Sequence, residues 1–335
     1  MKIGQRRLGK SDLVVSSLCL GAMMFGDQAD EAQADRIVRE AREAGINFID
    51  TADAYGGGRS EEIVGRALRS QRDAWIIATK VGTRFAPDRG GNGRSWLLRG
   101  VEESLSRLAI DRIDLYYLHL DDTQVPLEET VDAMGTLQRG GKIQHWGVSN
   151  FPAWRIAELV RLCDLAGVPR PVAGQPYYNA VNRMPEVEYL PFCAYHGLGV
   201  VPYSPLARGV LTGKYRPKAP PDPSTRAGRG DKRMMMTEFR EESMVIAQTI
   251  REHAEGRGRT AIGFALNWVL ANPIVTSVIV GPNSPEQLRA YLAATDEAFD
   301  AADEALLDRL VAPGHPSTPG YTDPLYPVTG RPAVS

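Results

Sequence analysis

Gly45-Ile46-Asn47-Phe48-Ile49-Asp50-Thr51-Ala52-Asp53-Ala54-Tyr55 reads as a short buried strand, Ile46 to Ile49, that passes directly into polar residues at its carboxyl end. Asp50 stands on the strand tip, and Tyr55 follows in a loop continued by Gly56-Gly57-Gly58. An acid and a phenol are thus delivered to the rim of a core. One such strand end decides nothing alone, because polar residues after strands are the ordinary substance of turns. What decides it is whether the rest of the chain brings partners to the same rim.

The length of 335 residues suits two or three domains, or one α/β barrel with insertions, whose typical size is about 250 residues and upward. Thirty-nine basic against 41 acidic residues give a net charge of -2. No field then favours nucleic acid or an anionic membrane, and a small-molecule partner is expected. Cys19, Cys163 and Cys193 are odd in number and lack metal-ligand spacing, which predicts core thiols in a reducing compartment and no metal site. The first seven residues carry charge with no apolar stretch behind them, and no run approaches the ~18 apolar residues of a membrane span. A cytoplasmic protein is the expectation.

Outward from the opening strand, apolar runs alternate with helical periodicity. Before it lie an alternation broken by Gly9-Lys10-Ser11-Asp12, read as a hairpin, then a buried strand around Leu18-Cys19-Leu20 and a helical face of Ile37, Val38, Ala41 and Ala44 ended by Gly45. After it come strands at Trp75 to Lys80, Asp114 to His119, Ile143 to Val148, Pro171 to Gln175, Val200 to Tyr203 and Thr276 to Val280. Helices starting near Ser60, carrying Leu97 to Leu108 and Val131 to Leu137, opening at Pro152 as a first-turn proline, and at 185–196, 241–255 and 261–271 separate them. Eight strands alternating with helices predict the α/β class and a closed (β/α)8 TIM barrel, with 1–335 as a single domain. The irregular stretch 204–237 reads as an active-site flap, and the Pro- and Gly-rich tail 313–335 as extended chain.

In a parallel barrel every strand's carboxyl end opens on one face. Asp50 and Tyr55, Lys80, His119, Ser149 and Asn150, Gln175, and Tyr203 with Ser204 therefore become neighbours. A free tyrosine has a pKa of ~10, and a lysine ammonium within hydrogen-bonding reach lowers it by stabilising the phenolate. Asp50 would hold Lys80 charged, and His119 would supply a second donor to a substrate oxygen. Such a set suits protonation of an oxygen on which negative charge grows, as hydride delivery to a carbonyl demands.

With these residues in place, the chain resembles the aldo-keto reductase superfamily, including the bacterial enzymes and the potassium-channel β subunits related to them. The matching stretches are Gly45 to Tyr55, Ile77 to Val81, Ser104 to Leu108 with Asp111 to His119, Gly141 to Ile143 with Gly147 to Asn150, Gln175 to Asn179, and Tyr203 to Leu206 with Gly209 to Tyr215. They run in order through residues 8–292. The resemblance implies a barrel floored by the N-terminal β-hairpin, a catalytic tetrad of Asp50, Tyr55, Lys80 and His119, and NADPH or NADP, with NADH possible, held without a Rossmann fingerprint. It implies that Ser149, Asn150 and Gln175 take the nicotinamide carboxamide and Tyr203 the ring. Ser204, Leu206 and Gly209 to Lys214 would cradle the pyrophosphate, and the stretch Gly281, Asn283 and Gln287 would meet the adenosine 2'-phosphate.

Two positions depart from the family pattern. Asn283 and Ser284 stand where relatives often carry a cation, which leaves Arg289, Arg208 and Lys214 as phosphate partners, and Tyr291 stands where an adenine-binding Asn is common. The expected activity is NADPH-dependent reduction of an aldehyde or ketone to an alcohol. A keto-sugar or enone reductase and a cofactor-binding accessory or sensor subunit are the alternatives. Met24, Phe25, Phe85, Trp96 and Tyr178 are expected either to wall the substrate pocket or to pack in the core.

Overall fold

The computed structural model describes residues 3–84 and 89–326; Phe85 and the end of the tail lie outside them. Strands β1 (Gln5–Arg7) and β2 (Val14–Ser16) form an antiparallel hairpin. Eight parallel strands follow: β3 (Leu18–Gly21), β4 (Phe48–Asp50), β5 (Ile76–Val81), β6 (Ile113–Leu118), β7 (Ile143–Ser149), β8 (Ala173–Gln175), β9 (Gly199–Val200) and β10 (Val278–Val280). They pair in chain order, and β10 pairs β3. The remaining seam is held by backbone hydrogen bonds, from Thr276 N–H to Val200 O at 2.8 Å and from Ile279 N–H to Pro202 O at 3.0 Å. The sheet thus curls into a (β/α)8 barrel, as the alternation predicts. Its strands read as unbroken apolar runs because both faces are buried.

The chain divides into two compact units. One comprises Met1–Tyr177, Glu188–Tyr203 and Asn272–Leu292 and holds every strand; the other comprises Tyr178–Val187, Ser204–Ala271 and Ala293–Ser335. In the second unit the stretch expected to be a flap has structure of its own, a 3-10 turn at Ala207–Thr212 and a short helix at Lys232–Thr237 whose first turn is capped by Asp231. The early tail is tied back by backbone, since Arg183 N–H donates to His315 O at 3.0 Å, and by the Arg240 guanidinium 3.7 Å above the Tyr321 ring.

Two boundaries differ from expectation for a reason proline supplies. The expected helix at 185–196 is a 3-10 turn at Met184–Glu186 and then a helix at Tyr189–His196. Pro191 has no N–H and is tolerated only within a first turn, so the helix starts just ahead of it. Pro152 sits one residue before its helix, Ala153–Ala166, with ψ 146, and is not the first helical residue.

The hairpin supplies the barrel's base. Leu8, Leu13 and Val15 are buried against Cys19, Phe48, Ala78, Leu115, Tyr117, Ala173 and Ile279, which gather from six strands, and against Val201 just past the end of β9. Gly9 lets the hairpin come this close, because a Cβ there would lie 2.5 Å from the backbone N of Gly199 and its φ is +55. Cys19, Cys163 and Cys193 are buried and unpaired, in line with the expectation of core thiols. No helix among the described residues is long and apolar enough to cross a membrane.

If the hairpin closes the core, Leu8→Ala should lower unfolding free energy by about 2–5 kcal/mol. Val14→Ala, at a position 44% exposed on the same hairpin, should change it by less than about 0.5 kcal/mol. Urea denaturation of both variants checks the contrast; equal effects would rule out the plug.

Candidate active site

Strand side chains alternate between faces, so the residue two beyond an inward one also points inward, one layer higher. Phe48, Ala78, Tyr117, Ala173 and Val201 belong to the core inside the barrel. Two residues further on stand Asp50, Lys80, His119, Gln175 and Tyr203. Ser149 follows Gly147 in the same way, and residue 147 must be glycine because a Cβ there would lie 2.7 Å from the Tyr117 ring and from Ala173 O. The layer above the core is polar wherever the sequence placed a polar strand tip.

Lys80 is fully buried and its ammonium has three partners: Asp50 Oδ1, Thr51 O at 2.9 Å and Tyr55 OH at 3.0 Å. Burial alone would push this ammonium down, but the charge of Asp50, helped by Tyr55, outweighs it and holds the group above its ordinary value. Burial also holds the Asp50 carboxyl above the usual range despite Lys80. The other oxygen of Asp50 accepts from Gln175 Nε2 at 3.0 Å, so a carboxylate on β4 joins β5 to β8 across the mouth.

Tyr55 reaches Lys80 because its loop keeps pairing after β4 ends. Thr51 N–H donates to Ala78 O at 2.9 Å and Asp53 N–H to Lys80 O at 3.1 Å. Gly56, Gly57 and Gly58, all at positive φ, then turn the chain into the helix Arg59–Leu68. The Tyr55 ring lies edge-on to His119, centroids 5.9 Å apart and planes at 84°. His119 Nδ1 is 3.2 Å from Thr83 Oγ1, and the backbone N–H of His119 donates to Val81 O at 2.7 Å. Burial, with the Lys80 cation beside it, pushes the imidazole down to about 3, so the ring is neutral at ordinary pH. Asp50, Tyr55, Lys80 and His119 are brought together.

The residues expected at the carboxamide also form one network. Ser149 Oγ is 3.1 Å from Gln175 O, and Asn150 Nδ2 donates to His119 O at 3.0 Å and to Ser149 Oγ at 3.1 Å. Tyr203 OH donates to Asn150 Oδ1 at 2.8 Å, and the Tyr203 ring stacks on Tyr177 at 5.6 Å. Asn150 adopts φ +59, in the left-handed region that asparagine tolerates better than other non-glycine residues. At the far end of the barrel segment, Asn283 N–H donates to Gln287 Oε1 at 3.0 Å and Asn283 Nδ2 to Gln28 Oε1 at 3.2 Å, while a Cβ on Gly281 would meet only Gly21 O, at 3.8 Å.

In the second unit, Ser204 at φ +55 accepts on its backbone oxygen from Asn179 Nδ2, and Leu206 is buried. Gly209 has φ +97, and a Cβ there would come within 3.2 Å of Lys214 Nζ. Of the cations expected near a phosphate, Arg208 is held at 3.0 Å by the buried carboxylate of Glu238, and Arg289 pairs with Glu40 and Glu286. Lys214 has no carboxylate partner among the described residues. Met24, Phe25, Trp96 and Tyr178 are all buried.

The sequence reading missed a charged cluster behind the site. Asp53 and Glu61 are buried; Glu61 takes Arg107 Nε at 2.6 Å and the Thr79 hydroxyl, whereas neither oxygen of Asp53 has a well-formed hydrogen bond among the described residues. Nothing in the local pattern distinguishes Asp53 from a solvated turn residue. The only signal was its place two residues before Tyr55.

The sequence matches the Aldo/keto reductase family over residues 17–312. It is 36% identical over 297 residues to a "Probable voltage-gated potassium channel subunit beta" of Arabidopsis thaliana, covering 87% of this chain and 90% of the relative. It is 35% identical over 306 residues to the "Uncharacterized oxidoreductase YrpG" of Bacillus subtilis, covering 88% and 91%. It is 34% identical over 324 residues to the "L-glyceraldehyde 3-phosphate reductase" of Escherichia coli O157:H7, covering 92% of each.

Asp53 makes stability depend on pH. Burial, then the negative charge of Glu61, raise its carboxyl to about 7 against the lowering effect of Arg107. The folded state therefore holds the proton more tightly than the unfolded chain. The contribution is full below about pH 4 and is lost as pH rises through about 7, at most about 4 kcal/mol. Asp53→Asn should melt at a higher temperature than the wild type at pH 8 and at the same temperature near pH 4, by calorimetry. A wild type whose advantage or deficit against this variant does not change with pH would refute the assignment.

Proposed function

The chain belongs to the aldo/keto reductase family, an oxidoreductase family that works with a nicotinamide cofactor, and on that premise we propose that it reduces an aldehyde or ketone to the alcohol with NADPH, Tyr55 donating the proton. The observation that carries this reading is the 3.0 Å hydrogen bond from the buried Lys80 ammonium to the Tyr55 hydroxyl. A cation at that distance stabilises the negative charge left on the phenol oxygen as its proton departs. Asp50 keeps the ammonium charged and fixed, so the stabilisation is in place before the substrate arrives.

A substrate oxygen at the Tyr55 hydroxyl accepts its hydrogen bond and then its proton as charge develops, and neutral His119 offers a second donor beside the Tyr55 ring. A bound nicotinamide supplies the hydride to the carbonyl carbon. Ser149, Asn150 and Gln175 offer the mixed donors and acceptors that a carboxamide needs, with Tyr203 as the ring platform. The bare backbone at Gly209, which a Cβ would crowd against Lys214, suits the close approach of a pyrophosphate flanked by Ser204 and Leu206. Gly281, Asn283 and Gln287 would meet the adenosine end.

The test is oxidation of NADPH against a panel of reactive aldehydes that includes small phosphorylated ones, as the name of one relative suggests. Tyr55→Phe should lower kcat by at least about a hundredfold and leave NADPH binding, followed by its fluorescence, unchanged; a Tyr55→Phe enzyme near wild-type rate defeats the proton-donor role. Tight NADPH binding with negligible wild-type turnover across the panel favours the accessory role that the names of other relatives describe.

Lys214 is the candidate for phosphate recognition. Lys214→Met should weaken NADPH and NADH binding alike by about tenfold, measured by titration calorimetry, because both cofactors carry the pyrophosphate. Unchanged affinity for both would remove Lys214 from the pyrophosphate.

A further inference from the structure

The orientation of His119 raises a question the tetrad leaves open: which ring nitrogen carries the single proton. Burial, and then the Lys80 cation, lower the ring's pKa to about 3, so the imidazole is neutral at ordinary pH. A neutral imidazole donates from one nitrogen and accepts at the other. Only the form protonated at Nε2 lets that nitrogen donate to a substrate oxygen while Nδ1 faces elsewhere.

Nδ1 faces Thr83, whose Oγ1 is 3.2 Å away. We propose that the Thr83 hydroxyl donates to His119 Nδ1, fixing the ring as the Nε2–H tautomer, and is thereby a positioning residue for carbonyl reduction. This rests on the reductase reading above. The main chain around the ring is already fixed at two points, by the bond from His119 N–H to Val81 O and by Asn150 Nδ2 on His119 O. Neither of these bonds selects a tautomer. Thr83 is the described residue that contacts a ring nitrogen, and a hydroxyl that donates there leaves no proton for Nδ1. It stands three residues beyond Lys80, just past the end of β5, so this strand and its exit supply both a cation near His119 and the hydroxyl that orients its proton.

Holoprotein labelled with 15N-histidine tests the bond directly through long-range 1H–15N correlation, with the His119 signals assigned by their loss in His119→Asn. The wild type should show Nε2 protonated and Nδ1 as a hydrogen-bonded acceptor. In Thr83→Val, nearly the same shape, the hydrogen-bonded Nδ1 signature should disappear and kcat fall by about five- to tenfold, with NADPH affinity unchanged. Thr83→Ser should restore both. A packing role alone would lower thermal stability without moving the Nδ1 resonance and would not be rescued by serine.

Wild-type spectra with the proton on Nδ1, or a Thr83→Val enzyme with unchanged Nδ1 shift and kcat, overturn the proposal. The Tyr55→Phe result separates the two levels. If Tyr55→Phe is inactive and Thr83→Val is normal, only the Thr83 role falls. If Tyr55→Phe is active, the reductase reading falls and the spectra still decide whether Thr83 donates to Nδ1.

Discussion

A lysine with no exposure to solvent is the constraint to which the barrel mouth conforms. Removing an ammonium and a carboxylate from water costs several kcal/mol per ion, which their attraction offsets only when the geometry is good and the remaining protons and lone pairs are used. Here they are used: Lys80 has three acceptors, and Asp50 accepts from Lys80 and Gln175. One of the three acceptors is Tyr55. The phenol is thus part of what makes the buried cation tolerable, and in the proposed reduction the cation would in turn make the phenol a usable acid.

This reciprocity demands accurate register. Asp50 pairs with Ala78 across β4 and β5, so Lys80 stands one layer higher on the same inward face. A one-residue slip would turn Lys80 toward the surrounding helices and leave Asp50 an unpaired buried charge. The core below excludes such a slip, because Phe48 and Ala78 would leave the interior with it. The hairpin under the barrel therefore bears on the arrangement at the opposite end: by filling the base with Leu8, Leu13 and Val15 it fixes the parity of the strands that lead to Asp50, Lys80 and His119.

Much of this was legible in the chain, since parallel strands advertise themselves as apolar runs and their carboxyl ends share a face. Period-two alternation then turns Ala78 in the core into Lys80 at the mouth without knowledge of any contact. The bond between Asp50 and Gln175 was not legible, because it joins residues 125 apart through barrel closure. Neither was the burial of Asp53 and Glu61, because local sequence shows charge and not the depth to which tertiary packing takes it. The expectation that Arg208 and Arg289 would be available to a phosphate missed their ion pairs for the same reason: partners such as Glu238 and Glu40 carry no mark in the sequence.

The phenol stands on a loop and the cation on a strand, and different contacts hold each in place. Lys80 cannot move without exposing Asp50, so it is held by the fold. Tyr55 follows the last ladder bonds of β4 and precedes three glycines at positive φ, the last of them buried. Its position is set from the Lys80 side twice over, through the ammonium and through the Lys80 carbonyl that accepts from Asp53 N–H. Both contacts tie Tyr55 to β5, so one strand sets the separation of phenol and ammonium. Asp53 sits at that tether with its carboxyl in the protein interior, so the loop that presents Tyr55 also makes the folded state sensitive to pH between about 4 and 7.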